Sequence, residues 1–143
     1  MSLAKRRVEF SVCVADLVNK ARQIGFYPAL DEVKRTDEQA CINALGETGR
    51  IALAKVVEGA FPALALAVSN NGKSRGIMES VHRSGLAVDL ILYKLVDTEF
   101  VWVTDASEYE ALGKWWEEQH PDARWGGRFN DANHFSFEYQ GRK

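Results

Sequence analysis

The chain has 143 residues, an ordinary globular composition and a formal net charge of −2, so we expect one domain over residues 1–143. The charge gives no reason to expect a nucleic-acid or membrane partner, and no apolar run approaches the roughly 20 residues of a membrane-spanning helix. No secretory signal is expected, because charged residues interrupt the stretch after the first basic ones. Cys13 and Cys41 are expected to be reduced thiols rather than a disulfide.

The first third of the chain favours helices. Apolar residues at helical spacing predict a helix over about Lys5–Ile24. The segment Phe26–Arg35 contains Pro28 and is predicted to be a loop or an edge strand. Thr36–Gln39 has the form of a capping box, so a second helix should run from there to about Leu45.

The middle of the chain gives weaker signals. Gly46 and Gly49 are expected to break the second helix. Ile51–Ala67 is rich in Ala, Val and Leu and is predicted to be partly helical, with a break at Phe61-Pro62. Asn70–Lys73 is predicted to be a turn.

The last third of the chain favours strands around one helix. Ala87–Tyr93 and Phe100–Val103 are predicted to form a hairpin. Ser107–Glu110 has the form of a second capping box, which would open a helix to about His120. Polar and aromatic residues alternate over His134–Tyr139, which predicts a terminal strand. Because strands and helices do not alternate regularly, we expect an α+β fold with a small antiparallel sheet flanked by helices.

The motif Ser80–Asp89 contains two candidate metal ligands, His82 and Asp89. Because side chains alternate along a strand, Asp89 should lie on the face opposite its apolar neighbours. An ionised aspartate beside aliphatic residues is costly unless something compensates its charge, and a divalent cation would do so. Gly85 can adopt the positive φ that a turn between the two ligands would need.

The motif Trp125–Phe135 adds His134 as a third candidate ligand. Two imidazoles and one carboxylate favour zinc over magnesium or calcium, which prefer all-oxygen shells. Three protein ligands leave a fourth position for water, which is typical of a catalytic rather than a structural zinc ion. Asp131 lies in the predicted turn before His134, so it is our candidate general base, able to take a proton from water and deliver it to a leaving amine.

Peptide hydrolysis also needs a cation or hydrogen-bond donor for the developing oxyanion. Arg35 is our candidate, because it lies between an extended segment and a capped helix and its planar guanidinium could hold a carbonyl or carboxylate. A solvated surface arginine is the alternative for this residue, and a turn-forming role is the alternative for Asp131.

The two motifs resemble those of the zinc D-alanyl-D-alanine carboxypeptidases and L-alanyl-D-glutamate endopeptidases, which cut the stem peptides of bacterial peptidoglycan. The resemblance covers about residues 32–137 and is closest to the branch that includes single-domain bacteriophage endolysins. It implies an α+β fold with a central antiparallel sheet that holds the zinc ion. It also implies one role for each matching residue: zinc ligands at His82, Asp89 and His134, the catalytic carboxylate at Asp131, the arginine at Arg35 with Gln39, the motif serine at Ser80 and the motif tryptophan at Trp125.

Two of these residues have structural alternatives. Ser80 could contact the substrate or form a local cap, and Trp125 could contact the substrate or belong to the core. Ser80, Trp125 and Gln39 are predicted to bind the substrate on the basis of the resemblance alone.

The resemblance favours an L-alanyl-D-glutamate endopeptidase, because the catalytic carboxylate is Asp131 whereas carboxypeptidase members more often carry glutamate. The alternatives are a D-alanyl-D-alanine carboxypeptidase and, in a different class, a non-catalytic zinc module that binds peptidoglycan. We expect a monomer without an appended wall-binding domain. An endolysin without a signal peptide would accumulate in the host cytoplasm and reach the wall through a holin pore.

Overall fold

The structure is a computed structural model that describes residues 2–31, 45–59, 62 and 81–142. This part of the chain has the α+β fold expected from the sequence, with a small antiparallel sheet and helices packed beside it. Its helices and strands are α1 (Leu3–Gln23), β1 (Tyr27–Leu30), α2 (Gly46–Val57), β2 (Ala87–Val96), β3 (Glu99–Trp102), α3 (Glu110–Gln119), β4 (Ala123–Trp125) and β5 (His134–Phe137).

The sheet is built around β2, the longest of the described strands. β1 pairs with the middle of β2 along one edge, and β3 and β5 pair with its two ends along the other edge. β4 pairs with the far side of β5, so β1 and β4 lie at the outer edges of the strand order β1-β2-β5-β4. Pro28 is tolerated in β1 because β1 is an edge strand, in which a residue without a backbone N–H can face away from the neighbouring strand.

One face of β2 forms the core. Val88, Leu90 and Leu92 are fully buried, as their alternation in the sequence predicts. Helices α1 and α3 cover this face, and Phe10 packs edge-on against Trp116 with ring centroids 6.0 Å apart. Burying side chains of this size stabilises the fold by roughly 1.5–3 kcal/mol each, so the apolar face fixes the orientation of β2. Asp89 is thereby turned to the opposite face.

The N-terminal elements differ from prediction in one respect. Helix α1 contains almost all of the predicted span and ends before Gly25, whose φ is +94°. Gly46 has a φ of +68° at the start of α2, in keeping with a break there. The prediction that Gly49 also interrupts helical structure was wrong, because Gly49 lies inside α2. A helical glycine costs only about 1 kcal/mol relative to alanine, which the helix-forming residues after it can offset.

The start of α3 also differs from prediction. The capping box expected at Ser107 was wrong, because the carboxylate of Asp105 accepts the hydrogen bond from the Ser107 backbone N–H at 2.9 Å. A short 3₁₀ helix, Ala106–Tyr109, follows, and α3 begins only at Glu110. Asp and Ser are similarly good N-cap residues, and here Asp105, which comes earlier in the chain, forms the cap.

The end of the chain contains one strand that the sequence did not predict. β4 has three residues, which is too short to show an alternating pattern. The predicted terminal strand ends at Phe137, and Tyr139 instead forms an isolated bridge with Arg142.

Several sequence predictions fall outside the described residues. They concern Cys41, Arg35, Gln39 and Ser80, the capping box Thr36–Gln39, the break at Phe61-Pro62 and the turn Asn70–Lys73. Cys13 is a free, half-buried thiol. Among the helices that the structure describes, none is both long and apolar enough to cross a bilayer.

Candidate metal centre

The three predicted ligands come together at the junction of β2 and β5. Asp89 and His134 are directly opposite each other in the antiparallel pair, so their side chains share one face of the sheet. His82 comes from a single 3₁₀ turn, Val81–Ser84, that leads into β2. Gly85 ends this turn with a φ of +65°, the left-handed conformation that glycine adopts without strain.

The ligand atoms form a nearly equilateral triangle. His82 Nε2 lies 3.1 Å from His134 Nδ1. Asp89 Oδ1 lies 3.1 Å from His134 Nδ1 and 3.3 Å from His82 Nε2. In a tetrahedral zinc site with bonds of about 2.0–2.1 Å, two ligand atoms lie about 3.3 Å apart. The triangle therefore has the size of one face of a zinc coordination tetrahedron, so these three residues would fit a zinc ion.

The centre is buried and contains one ionised acid. His82 is 2% exposed and His134 is 5% exposed. Burial raises the pKa of Asp89, but hydrogen bonds with His134 and His82 and their charges outweigh it and lower that pKa to about 2. A carboxylate oxygen and two imidazole nitrogens thus lie close together in a largely buried site. This donor set and the close approach of the three atoms fit a divalent cation.

Helix α1 supports the turn that carries His82. Arg7 Nε donates a hydrogen bond of 2.8 Å to the carbonyl of Ser84, the last residue of that turn. The turn is also closed from within, since the Leu86 backbone N–H donates to the Val81 carbonyl at 3.2 Å. Such contacts behind a ligand orient it, and their loss commonly weakens metal binding.

Gly126 allows the second motif to fold tightly around His134. The Asp131 backbone N–H donates to the Gly126 carbonyl at 2.9 Å, and the His134 N–H donates to the Asp131 carbonyl at 3.1 Å. A Cβ added to Gly126 would lie 2.1 Å from the Asp131 carbonyl oxygen and 2.7 Å from His134 Cβ. Only glycine fits at position 126 without displacing His134 or the backbone of Asp131.

Trp125 lies in the core rather than on an exposed wall. It is 8% exposed, and its indole Nε1–H donates to the Ala132 carbonyl at 2.8 Å. Its ring fills the space left by two glycines: a Cβ on Gly113 or Gly127 would lie 2.0 or 2.2 Å from it. This placement favours the core alternative for Trp125 over direct substrate contact.

Sequence reasoning missed an ion pair that fixes the same segment. Glu117 on α3 accepts hydrogen bonds from Arg128 Nε at 2.8 Å and from the Trp125 backbone N–H at 3.3 Å. The hydrogen bond from Arg128 is the largest cause that lowers the pKa of Glu117. Arg128 lies within the second motif, but no motif contains Glu117 or links the two residues, and only the fold brings α3 beside residues 125–128.

Asp131 is exposed and lines an open cavity of about 470 Å³. The cavity lies beside the metal centre, because its lining includes Ile91, two residues along β2 from Asp89, and Asp31, whose backbone N–H donates to the Asp89 carbonyl at 2.9 Å. Trp102 also lines this cavity. The predicted general base therefore lines a space that could hold part of a substrate.

Comparison with known proteins found similarity at the level of solved structures. No protein-family model matches the chain, and no curated protein matches it significantly. The chain is similar to the crystal structure, in complex with Zn(II), of a glutamate-to-alanine variant of VanY, a vancomycin-resistance D,D-pentapeptidase from a VanB-type resistance cassette. The TM-score is 0.51 at 22% sequence identity, over 91% of this chain and 71% of that chain. The protein therefore has the fold of a zinc-bound D,D-pentapeptidase.

Proposed function

We propose that this protein is a zinc peptidase that hydrolyses stem-peptide amide bonds of bacterial peptidoglycan. The triangle formed by His82 Nε2, Asp89 Oδ1 and His134 Nδ1 is the observation that carries the proposal. The shared fold with a zinc-bound D,D-pentapeptidase supports both the metal and the substrate class.

Each residue of the centre has a distinct part in this reaction. His82, Asp89 and His134 would hold the ion through the three facing atoms. Zinc in a site with three protein ligands lowers the pKa of a water molecule to about 7 and polarises a carbonyl group. The carboxylate of Asp131 takes the proton from the attacking water and passes it to the nitrogen of the leaving amine. Asp131 is suited to this role because it is accessible and precedes a ligand by three residues.

The cavity beside Asp131 is the proposed place for the peptide. Trp102 is 59% exposed on its border and offers an apolar wall. The buried hydroxyl of Tyr109, on another wall of the cavity, accepts a hydrogen bond of 3.0 Å from the Leu92 backbone N–H, which fixes that wall to β2. We retain Arg35 as the residue proposed to stabilise the oxyanion, with Ser80 and Gln39 as proposed substrate contacts.

The bond that is cut separates two candidate activities. Asp131, in place of the glutamate more common in carboxypeptidases, favours an L-alanyl-D-glutamate endopeptidase. The D,D-pentapeptidase named for the similar structure favours D,D-carboxypeptidase activity as the second candidate. Mass spectrometry of purified cell wall after digestion distinguishes them: the endopeptidase exposes the amine of D-glutamate, and the carboxypeptidase releases D-alanine. Stem peptides left intact by the zinc-loaded protein would refute both.

A variant at Asp131 tests whether the protein is an enzyme at all. In Asp131→Ala we expect hydrolysis to fall by about 10²–10⁴-fold, the usual contribution of a general base, while zinc content stays at the wild-type level. Zinc binding with equal wall affinity and no hydrolysis in either form would instead indicate a binding module. Hydrolysis unchanged by the substitution would remove Asp131 from the mechanism.

We further propose that the enzyme is a bacteriophage endolysin that depends on a holin to reach the wall. Expression inside a bacterium should then leave the cells intact until the inner membrane is permeabilised. Turbidity should fall rapidly after permeabilisation with the wild type but not with Asp131→Ala. Lysis that precedes any loss of membrane integrity would contradict this role.

A further inference from the structure

We propose that Glu117 is a positioning residue for the metal centre, acting through Trp125 and Arg128 on the segment that carries Asp131 and His134. The assignment of a metal to that centre rests on the proposed function. The positioning role itself rests on the contacts of Glu117.

Glu117 joins α3 to two points of one short segment. Its Oε1 accepts hydrogen bonds from the Trp125 backbone N–H at 3.3 Å and from Arg128 Nε at 2.8 Å, and its Oε2 accepts from Arg128 Nε at 2.9 Å. Arg128 Nη2 also donates to Oε2. The Glu117 side chain is only 18% exposed, so water competes weakly for these bonds. One carboxylate thus fixes both ends of the turn Trp125–Arg128 against the helix.

Both contacts of Glu117 lead directly to the functional residues. From Trp125, the indole N–H donates to the carbonyl of Ala132, which directly follows Asp131 and precedes His134 by two residues. From Arg128, the next residue along the chain is Phe129, whose ring meets that of His134 at a centroid distance of 6.0 Å. The turn also closes on itself, since the Gly126 carbonyl accepts from the Asp131 N–H. Movement of Trp125–Arg128 would therefore displace the base and one ligand together.

The ion pair of Glu117 is expected to contribute only modestly to the stability of the fold. Arg128 is 64% exposed in its side chain, and an exposed ion pair usually contributes little to stability. A bidentate arginine–carboxylate pair is, however, geometrically specific. The arrangement therefore favours a role in orientation over one in general stability.

Three variants separate orientation from folding. Glu117→Ala removes both contacts, Glu117→Gln keeps one acceptor for the Trp125 N–H but loses the ionic pair, and Arg128→Ala removes only the exposed partner. Contacts behind metal ligands typically contribute 10–100-fold to metal affinity. We expect the zinc dissociation constant to rise about tenfold or more in Glu117→Ala, with smaller rises in the other two variants.

The matched control is Glu110→Gln on the same helix. Glu110 forms an ion pair of 2.5 Å with Lys114 and is exposed, so its substitution changes the charge of α3 without touching Trp125–Arg128. We expect wild-type zinc affinity in this control.

The measurements are zinc titration by competition with a chromophoric chelator and the visible absorption spectrum of the cobalt-substituted protein. Weaker zinc binding with altered cobalt bands in the Glu117 variants, and unchanged values in Glu110→Gln, would support the proposal. A lower melting temperature with wild-type zinc affinity and cobalt bands would overturn it. If Glu117→Ala does not fold, the test rests on Glu117→Gln and Arg128→Ala. Wild-type zinc affinity in both of these variants would also overturn the proposal.

The outcome requires zinc binding but is independent of the reaction that we assign to the protein. A wild-type protein that binds no zinc would refute the proposed function. A wild-type protein that binds zinc but cuts no stem peptide would refute only the reaction, and the zinc titrations would still test Glu117.

Discussion

His134 lies directly opposite Asp89 in the antiparallel pair of β5 and β2, and the two side chains meet at 3.1 Å. Their meeting depends on strand register, because a shift by one residue would turn one of the two side chains to the apolar face. The buried partners on that face, Val88 and Phe135, hold the register in place. The same alternation that builds the core therefore brings together two of the three predicted ligands.

Asp89→Asn should abolish tight zinc binding. The substitution keeps the shape of the side chain but removes the negative charge between two imidazoles, and an amide is a poor zinc ligand. We expect zinc affinity to fall by at least about a hundredfold, as measured by calorimetry, with a corresponding loss of peptidase activity. Asp16→Asn, an exposed change on α1, should leave zinc affinity unaltered. Stoichiometric zinc in Asp89→Asn would contradict the ligand assignment.

Gly126→Ala should destabilise the fold and weaken metal binding at once. The new methyl group would lie 2.1 Å from the Asp131 carbonyl oxygen, so the backbone beside His134 must move. Overpacking of this kind typically costs 1–3 kcal/mol, which urea denaturation can measure. Gly59→Ala is the control, because nothing lies within 4 Å of the added atom. Equal stability and zinc affinity in the two variants would show that the close approach is unimportant.

The ion pair of Glu117 should make stability depend on acid pH. Its hydrogen bond from Arg128 lowers the pKa of Glu117 below the ordinary value of 4.5 in the folded protein. A carboxyl group of this kind contributes stability above its unfolded pKa and loses that contribution as the pH falls through its folded pKa. Wild type should thus exceed Glu117→Gln in stability near pH 7, and the difference should shrink on acidification below pH 4.5. Urea denaturation of both proteins across this pH range tests the prediction. A difference in the free energy of unfolding that does not change with pH would contradict it.

Trp102→Ala should raise KM with little change in kcat. Trp102 borders the cavity beside Asp131 but lies away from the ligands, so it can contribute binding that is equal in the ground and transition states. Phe100→Ala is the matched control, because Phe100 lies on the same strand, is 58% exposed and borders a different cavity. Steady-state kinetics on a soluble stem peptide would show the difference. Equal KM values for both variants would place the peptide elsewhere.

The sequence predicted the ligand triad because the signals for it are short and local. His82 and Asp89 lie within one motif, Gly85 marks the turn between them, and alternation along β2 assigns Asp89 to its face. The structure brings these two residues together with His134 as expected. The roles of Arg35, Gln39 and Ser80 stay predictions, since these residues lie outside the described part of the chain.

Other features could not be predicted from the sequence for physical reasons. The pairing of Glu117 with Arg128 joins a helix to a turn that packs on it, and nothing in their spacing distinguishes them from solvated charges. β4 is defined by its pairing with β5 rather than by a pattern of its own. The buried position of Trp125 follows from two glycines in separate elements, Gly113 and Gly127, which become neighbours only in the folded chain.

Helix α1 provides none of the three triad residues, yet Arg7 in its second turn reaches the carbonyl that closes the His82 turn. Removal of the N-terminal residues would therefore leave His82, Asp89 and His134 in the chain but remove the hydrogen bond that supports the His82 turn. The candidate metal centre thus depends on a part of the polypeptide that lies almost eighty residues away in sequence.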